Sequence, residues 1–233
     1  MDNATDIPRA ADRLLDAALA HVAFDGWSET SFRAAIDETG LSADLARALC
    51  PRGAVDLAVA YHRRGDTRMV AMLAAEDLSA LRFRDRIARA VRLRIEGADR
   101  EVIRRGGTLF ALPKHAAVGA GLIWGTADAI WRALGDRSED FNWYTKRATL
   151  SAVYAATVLF WLGDESDGQA ATWDFLDRRI AGVMRFEKIK ARLRESPVFS
   201  HLLAGPLDTL NHVRPPSHAG RDLPGRLHEE DLP

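Results

Sequence analysis

Few residues in this sequence are of types and spacings that could do chemistry. The seven histidines, His21, His62, His115, His201, His212, His218 and His228, are scattered. No two stand three or four positions apart and none sits in a Glu-x-x-His unit, the spacings that bring two metal ligands to one helix face. Cys50 lacks the local signature of a nucleophile and reads as a small core residue. Gly106-Gly107 and Gly119-Ala120-Gly121 are not followed by the rest of a phosphate-binding loop. No catalytic constellation, metal site or cofactor is expected. The segment Ala116–Leu134, AAVGAGLIWGTADAIWRAL, says more. A glycine inside a helix costs about 1 kcal/mol relative to alanine, so Gly119, Gly121 and Gly125 need a reason. Either a second helix approaches closely, or space is left for an apolar ligand. Trp124 and Trp131, seven apart, could wall a cavity or fill a core, as could Leu150 and Tyr154 in the next apolar segment. Between the two segments, Trp143 and Tyr144 follow Asp140 at the polar start of a helix. Such aromatics are enriched at interface hot spots. Alternatively, Asp140 caps the helix and Trp143 packs inside.

The elements that would position these residues are helical. Apolar residues recur at three and four, as in Leu14, Leu15, Ala18, Leu19 and Val22, and no stretch sustains a two-residue alternation. Helices are expected at 8–25, 29–39, 42–49, 52–64, 66–80, 83–97, 99–111, 115–135, 142–163, 167–195 and 197–212. Gly26 and Gly40 stand where helices end, and Ser42 where an N-cap belongs. The chain of 233 residues is long enough for a real core, and its single cysteine excludes a disulfide framework. Basic and acidic residues nearly balance, 32 against 33, which argues against a whole-chain polyanion binder. The longest uncharged run, Ala148–Gly163, is short of the roughly 20 apolar residues that cross a bilayer. From Arg214 the sequence is proline-rich and reads as a disordered tail.

Thr39-Gly40-Leu41 separates the second and third helices by the spacing of a helix-turn-helix. The string from Ala34 to Ala58, with Cys50-Pro51-Arg52-Gly53 opening the fourth helix, resembles the TetR-type regulator domain. Charge opposes DNA binding. Residues 1–64 carry seven arginines and no lysine against ten acids, and the third helix offers only Arg47 beside Asp44. Neutralising phosphate supplies most of such affinity, so the module is expected to keep the architecture without the activity.

A second resemblance is more specific. Asp128-Ala-Ile-Trp131, Gly135-Asp136, Ser138, Asp140-Phe-Asn-Trp-Tyr-Thr-Lys-Arg147, Tyr154 and Thr172-Trp-Asp-Phe-Leu-Asp-Arg-Arg-Ile180 are similar to the ubiquinone-biosynthesis accessory proteins, the ninth member of the Coq set. Gly26-Trp27, Pro51-Arg52-Gly53 and Tyr61-His62 also fit, so the similarity spans about residues 8–192. It implies an all-α, TetR-like fold that does not regulate transcription. It further implies an apolar pocket for isoprenoid lipid or a quinone intermediate, and a di-iron demethoxyubiquinone hydroxylase as partner. Its partner-binding surface maps here to Asp140, Trp143 and Tyr144, with Ile130 nearby.

Near the C-terminus, five basic residues between Arg185 and Arg194 precede a stripe of Phe199, Leu203, Leu207 and Leu210, with Leu202 beside it. A cationic stretch before an apolar face is the pattern of an interfacial membrane anchor, and the resembled family also ends in an amphipathic helix. Gly205-Pro206 must kink that helix, and docking on the protein's own core is the alternative. The expected organisation is therefore a helix-turn-helix-like module over 1–64, a lipid-binding and dimerising body over 65–195, an amphipathic helix over 196–213 and a tail over 214–233. A homodimer through the helices at 142–163 and 167–195 is expected. Residues 1–20 contain no signal or transit pattern, which points to a bacterial cytoplasmic protein resting on the inner face of the membrane. The rival reading is a TetR-like transcription regulator with an apolar ligand.

Overall fold

The structure is a computed structural model, and it describes residues 3–136 and 141–195. Among these it contains nine α-helices: α1 (Asn3–Asp25), α2 (Glu29–Thr39), α3 (Ala43–Leu49), α4 (Ala54–Ala75), α5 (Phe83–Glu96), α6 (Arg100–Phe110), α7 (Pro113–Ala133), α8 (Phe141–Leu162) and α9 (Ala170–Glu195). The expected all-α class is the observed one. Local chemistry sets the boundaries. Ser28 and Ser31 form a reciprocal capping box at the start of α2, and Gly40 ends it in the left-handed region at φ 67°. Ser42 caps α3 by accepting the Leu45 N–H at 3.2 Å, as its position predicted. Asp99 does the same for α6 with Val102.

Two apolar clusters hold the helices. One gathers Leu14, Leu15, Val22, Phe32, Ala35 and Leu57 from α1, α2 and α4, with Val102 of α6. The other gathers Met69, Leu73, Val91, Ile130, Leu150 and Leu176 from α4, α5, α7, α8 and α9. Helix α4 serves both. Its 22 residues span roughly 33 Å at 1.5 Å per residue. The sequence suggested separate helices at 52–64 and 66–80, but the structure runs one helix through Gly65. The reason is side-chain space. A Cβ on Gly65 would lie 2.7 Å from the Arg94 guanidinium carbon. The glycine admits a buried arginine rather than ending a helix. The expected module boundary at 64/65 thus falls within a continuous helix. The helix expected at 197–212 lies outside the described residues.

Arg94 donates through Nε to Asp66 Oδ1 at 2.6 Å and through a terminal nitrogen to the His62 carbonyl at 3.0 Å. Its side chain is almost wholly buried. Removing one partner of a buried pair leaves the other uncompensated, at about 3–5 kcal/mol. Arg94→Met should therefore lower unfolding stability by about that amount in a urea titration, whereas Arg92→Met, at an exposed side chain paired with Glu96 and lying over the Trp173 ring, should cost no more than about 1 kcal/mol.

Candidate functional site

Helices α4, α6, α7 and α8 enclose a cavity of about 370 Å³, within the range typical of small-ligand sites. Helix α4 contributes Ala58, Tyr61 and His62, at the spacing that shares one helix face. From α6 come Val102, Ile103, Gly106 and Phe110; from α7, Ala116, Gly119, Ala120 and Ile123; from α8, Tyr154, Ala155, Val158 and Leu159. Trp27 closes one wall, its Nε1 donating to the Val102 carbonyl. The cavity is graded. Ala58, Val102, Leu122 and Tyr154 are buried at its inner end, while Gly107, Ala111, Ala116, Ala120 and Leu159 are solvent-exposed. Leu159 is 72% exposed, so the mouth carries an apolar rim.

The inner end has a polar backing. Thr126 Oγ1 donates to Asp66 Oδ1 at 2.9 Å and meets His62 Nε2 at 2.8 Å. Tyr154 also interacts with Thr126, and burial raises its phenol above the ordinary value. Burial, with the Arg94 charge next in size, pulls the His62 imidazole down to about 4. His62 is consequently neutral near pH 7. Tyr61 accepts the Asp99 backbone N–H at 3.0 Å through its hydroxyl oxygen.

The structure divides the sequence-expected lipid residues. Gly119 and Tyr154 line this cavity. Gly119 is also a close-packing glycine, since a Cβ there would meet Phe110 Cβ at 2.7 Å. Trp131 and Leu150 line a second cavity of about 490 Å³ between α5, α7, α8 and α9. The Lys146–Asp136 ion pair lies in its wall, which makes it a poorer place for an apolar chain. Gly121 and Gly125 line neither. They are exposed with open space before them, because the four-residue step carries them to the outer face of α7. Trp124 also lines neither; its ring packs 5.9 Å from Trp143 and 6.5 Å from Tyr144. Trp27, Tyr61, His62, Val158 and Leu159 were not among the expected lipid residues. The shared-face spacing of Ala58, Tyr61 and His62 was the available signal.

The expected partner residues form a second feature. Trp143 and Tyr144 are both half-buried, with rings edge to face at 4.8 Å. The Arg147 guanidinium lies 4.0 Å from the Trp143 ring centre. Arg147 is buried, donating to Asp128 at 2.6 Å, Asp136 at 3.1 Å and the Trp143 carbonyl at 3.2 Å. That ion-pair network escaped sequence reasoning. Ile130 is fully buried in the core and offers no surface to a partner. Asp140 and the expected membrane residues Phe199, Leu202, Leu203, Leu207 and Leu210 lie outside the described residues. Cys50 is buried, and burial pushes its thiol up to about 11, away from nucleophilic use.

The COQ9 family profile matches residues 116–187, the α7–α9 region that carries these features. Over these residues the chain carries the signature of the COQ9 family. The Drosophila melanogaster protein named "Ubiquinone biosynthesis protein COQ9, mitochondrial" is 30% identical over 174 residues, covering 72% of this chain and 53% of that one. The Homo sapiens protein of the same name is 30% identical, covering 74% and 57%. The chain thus spans little more than half the length of these curated relatives. A TetR transcriptional regulator from Nitrosomonas europaea superposes with a TM-score of 0.60 at 22% identity, covering 73% of this chain and 95% of that one. It establishes the TetR-like fold. The expected bacterial cytoplasmic location at the inner membrane face is corrected, since these relatives and those of Dictyostelium discoideum and Schizosaccharomyces pombe are eukaryotic and named mitochondrial. Among the described residues, no helix is long and apolar enough to cross a membrane.

The lowered His62 value makes a prediction about pH. The unfolded imidazole, near 6.5, takes up a proton that the folded one refuses until about 4. His62 therefore supports the fold fully above about pH 6.5, and that support is lost as pH falls towards 4. Denaturant unfolding of the wild type and of His62→Phe at pH values across this window should give a stability difference that shrinks as the solution is acidified. A constant difference would mean that His62 titrates normally.

Proposed function

We propose that this protein is a non-enzymatic lipid-binding accessory protein of ubiquinone biosynthesis, which holds an isoprenoid quinone intermediate and presents it to the demethoxyubiquinone hydroxylase. The observation that carries the reading is the apolar cavity open at one end between α6, α7 and α8. An isoprenoid tail gains about 0.8 kcal/mol for each methylene removed from water, and a mouth rather than a closed void lets a long chain leave the protein. The apolar rim at Leu159, with the exposed Leu112 at the α6–α7 turn, is of the character that meets a lipid surface. The names of the COQ9 relatives supply the pathway.

The Trp124, Trp143 and Tyr144 cluster is our proposed hydroxylase contact. It lies on α7 and α8, the helices that also wall the cavity. Buried Arg147 fixes Trp143 from beneath, which reduces the ordering cost of binding. The membrane-anchor role of residues 196–213 and a homodimer through α8 and α9 belong to the same proposal. Light scattering at micromolar concentration tests the dimer.

DNA binding is disfavoured by the third helix. Its only cation, Arg47, pairs with Glu29 of α2 and lies over the Phe32 ring. It is already neutralised within the fold, and DNA would have to break that pair before gaining a phosphate contact.

Two variants separate the two features. Ala155→Phe, which fills the cavity wall, should sharply reduce isoprenoid lipid recovered by mass spectrometry while leaving hydroxylase capture intact. Trp143→Ala should weaken hydroxylase binding by about 2 kcal/mol, roughly thirtyfold, with co-purifying lipid unchanged. Unchanged lipid in a folded Ala155→Phe protein would remove the cavity from the account.

A further inference from the structure

The polar side chains lining the cavity are Tyr61, His62 and Tyr154, with the Trp27 indole, and hydrogen bonding leaves Tyr61 a donor and His62 an acceptor. Thr126 Oγ1 has a single hydrogen, and the Asp66 carboxylate 2.9 Å away takes it. Its 2.8 Å contact with His62 Nε2 must then run the other way, with Nε2–H donating to the hydroxyl oxygen. The Leu122 carbonyl is a further partner of the imidazole, and with Nε2–H committed to Thr126 the neutral ring keeps its lone pair on Nδ1. Tyr61 is in the complementary state. Its oxygen accepts from the Asp99 N–H at 3.0 Å, so its own hydrogen remains a donor. Both side chains line the cavity, from adjacent positions on α4. An apolar site with one donor and one acceptor at its closed end suits a ligand whose polarity is equally one-sided.

Resting on the lipid-binding reading of the cavity, we propose that the ligand enters head first: Tyr61 and His62 form a polar subsite for the head in its reduced, hydroxyl-bearing (quinol) form, and the apolar tail leaves between Ala116, Ala120 and Leu159. Tyr61 donates to a head oxygen, and the head hydroxyl donates to His62 Nδ1. The Arg94–Asp66–Thr126 chain behind them fixes the imidazole tautomer, so Thr126 and Asp66 act as positioning residues. The opposite orientation would place tail carbons against the Tyr61 hydroxyl hydrogen and the Nδ1 lone pair and leave those two positions unpaired.

The orientation is tested with two probes that differ by one hydroxyl, para-decylphenol and decylbenzene, titrated calorimetrically into the full-length protein. Tyr61→Phe removes only an oxygen and keeps the ring against Trp27, whose centroid is 6.0 Å away. His62→Phe removes the acceptor. Each variant should weaken decylphenol about tenfold, the size of one good hydrogen bond, and leave decylbenzene unchanged or tighter. If wild type binds both probes and neither variant discriminates between them, the cavity is a lipid site and the head-first orientation is wrong. If wild type binds neither probe, the lipid reading falls and takes the orientation with it. Should His62→Phe fail to fold, Tyr61→Phe alone decides.

Discussion

Arg94 carries a full charge into the middle of the molecule, and much of the architecture follows from satisfying it. Its guanidinium reaches from α5 to Asp66 and to the His62 carbonyl on α4, and Asp66 takes the Thr126 hydroxyl hydrogen from α7. Three helices are thereby fixed in register by groups that cannot be left unpaired in a low-dielectric interior. Gly65 has no side chain because the guanidinium occupies that space. The same network backs the cavity, where burial, with the Arg94 charge next, holds His62 neutral. A single buried pair thus connects the stability of the fold to the chemistry of the site. Apolar residues in its place would pack as well, but they would supply neither a donor nor an acceptor.

A second buried arginine does a parallel job at the far end of α7. Arg147 ties Asp128 of α7 to Asp136 beyond its end, and its flat face supports Trp143. Helices α7 and α8 accordingly bear the cavity wall and the aromatic cluster side by side, the two features to which we assign the lipid and the partner. A lipid in the first and a protein on the second would share the same pair of packed helices. The N-terminal module pairs the shape of a DNA-binding unit with a neutralised third helix. Its helix-turn-helix shape persists, held by Ser28, Gly40 and Ser42, while the recognition position is occupied by Arg47 folded back onto Glu29.

Helices were legible in the sequence wherever periodicity and capping chemistry agreed, as at Ser42 and Gly40. Gly65 misled because a glycine inside an apolar period reads as a break, and the guanidinium that requires it comes from Arg94, 29 positions on. The glycines of α7 illustrate the same limit. Composition located an unusual helix, yet only geometry distinguishes Gly119, pressed against Phe110, from Gly121 and Gly125, which face open space. Ile130 and Trp124 exchanged expectations for an angular reason. Six residues apart on a helix puts them well off a common face, and the core claimed Ile130 while the aromatic cluster took Trp124. Tyr61 and His62 were visible as part of a family resemblance, but their donor and acceptor states depend on Asp99 and Thr126, which sequence spacing does not connect to them.

The central claim is that the cavity between α4, α6, α7 and α8 is where the lipid sits. It is tested most directly by photocrosslinking the full-length protein with an isoprenoid chain bearing a diazirine, followed by peptide mapping. The account predicts labels on Ala155, Val158 and Leu159 of α8 and on Ala116 or Ala120 of α7. Labels confined to the second cavity around Trp131 and Val183, or to the outer face of α7 at Gly121 and Gly125, would contradict it.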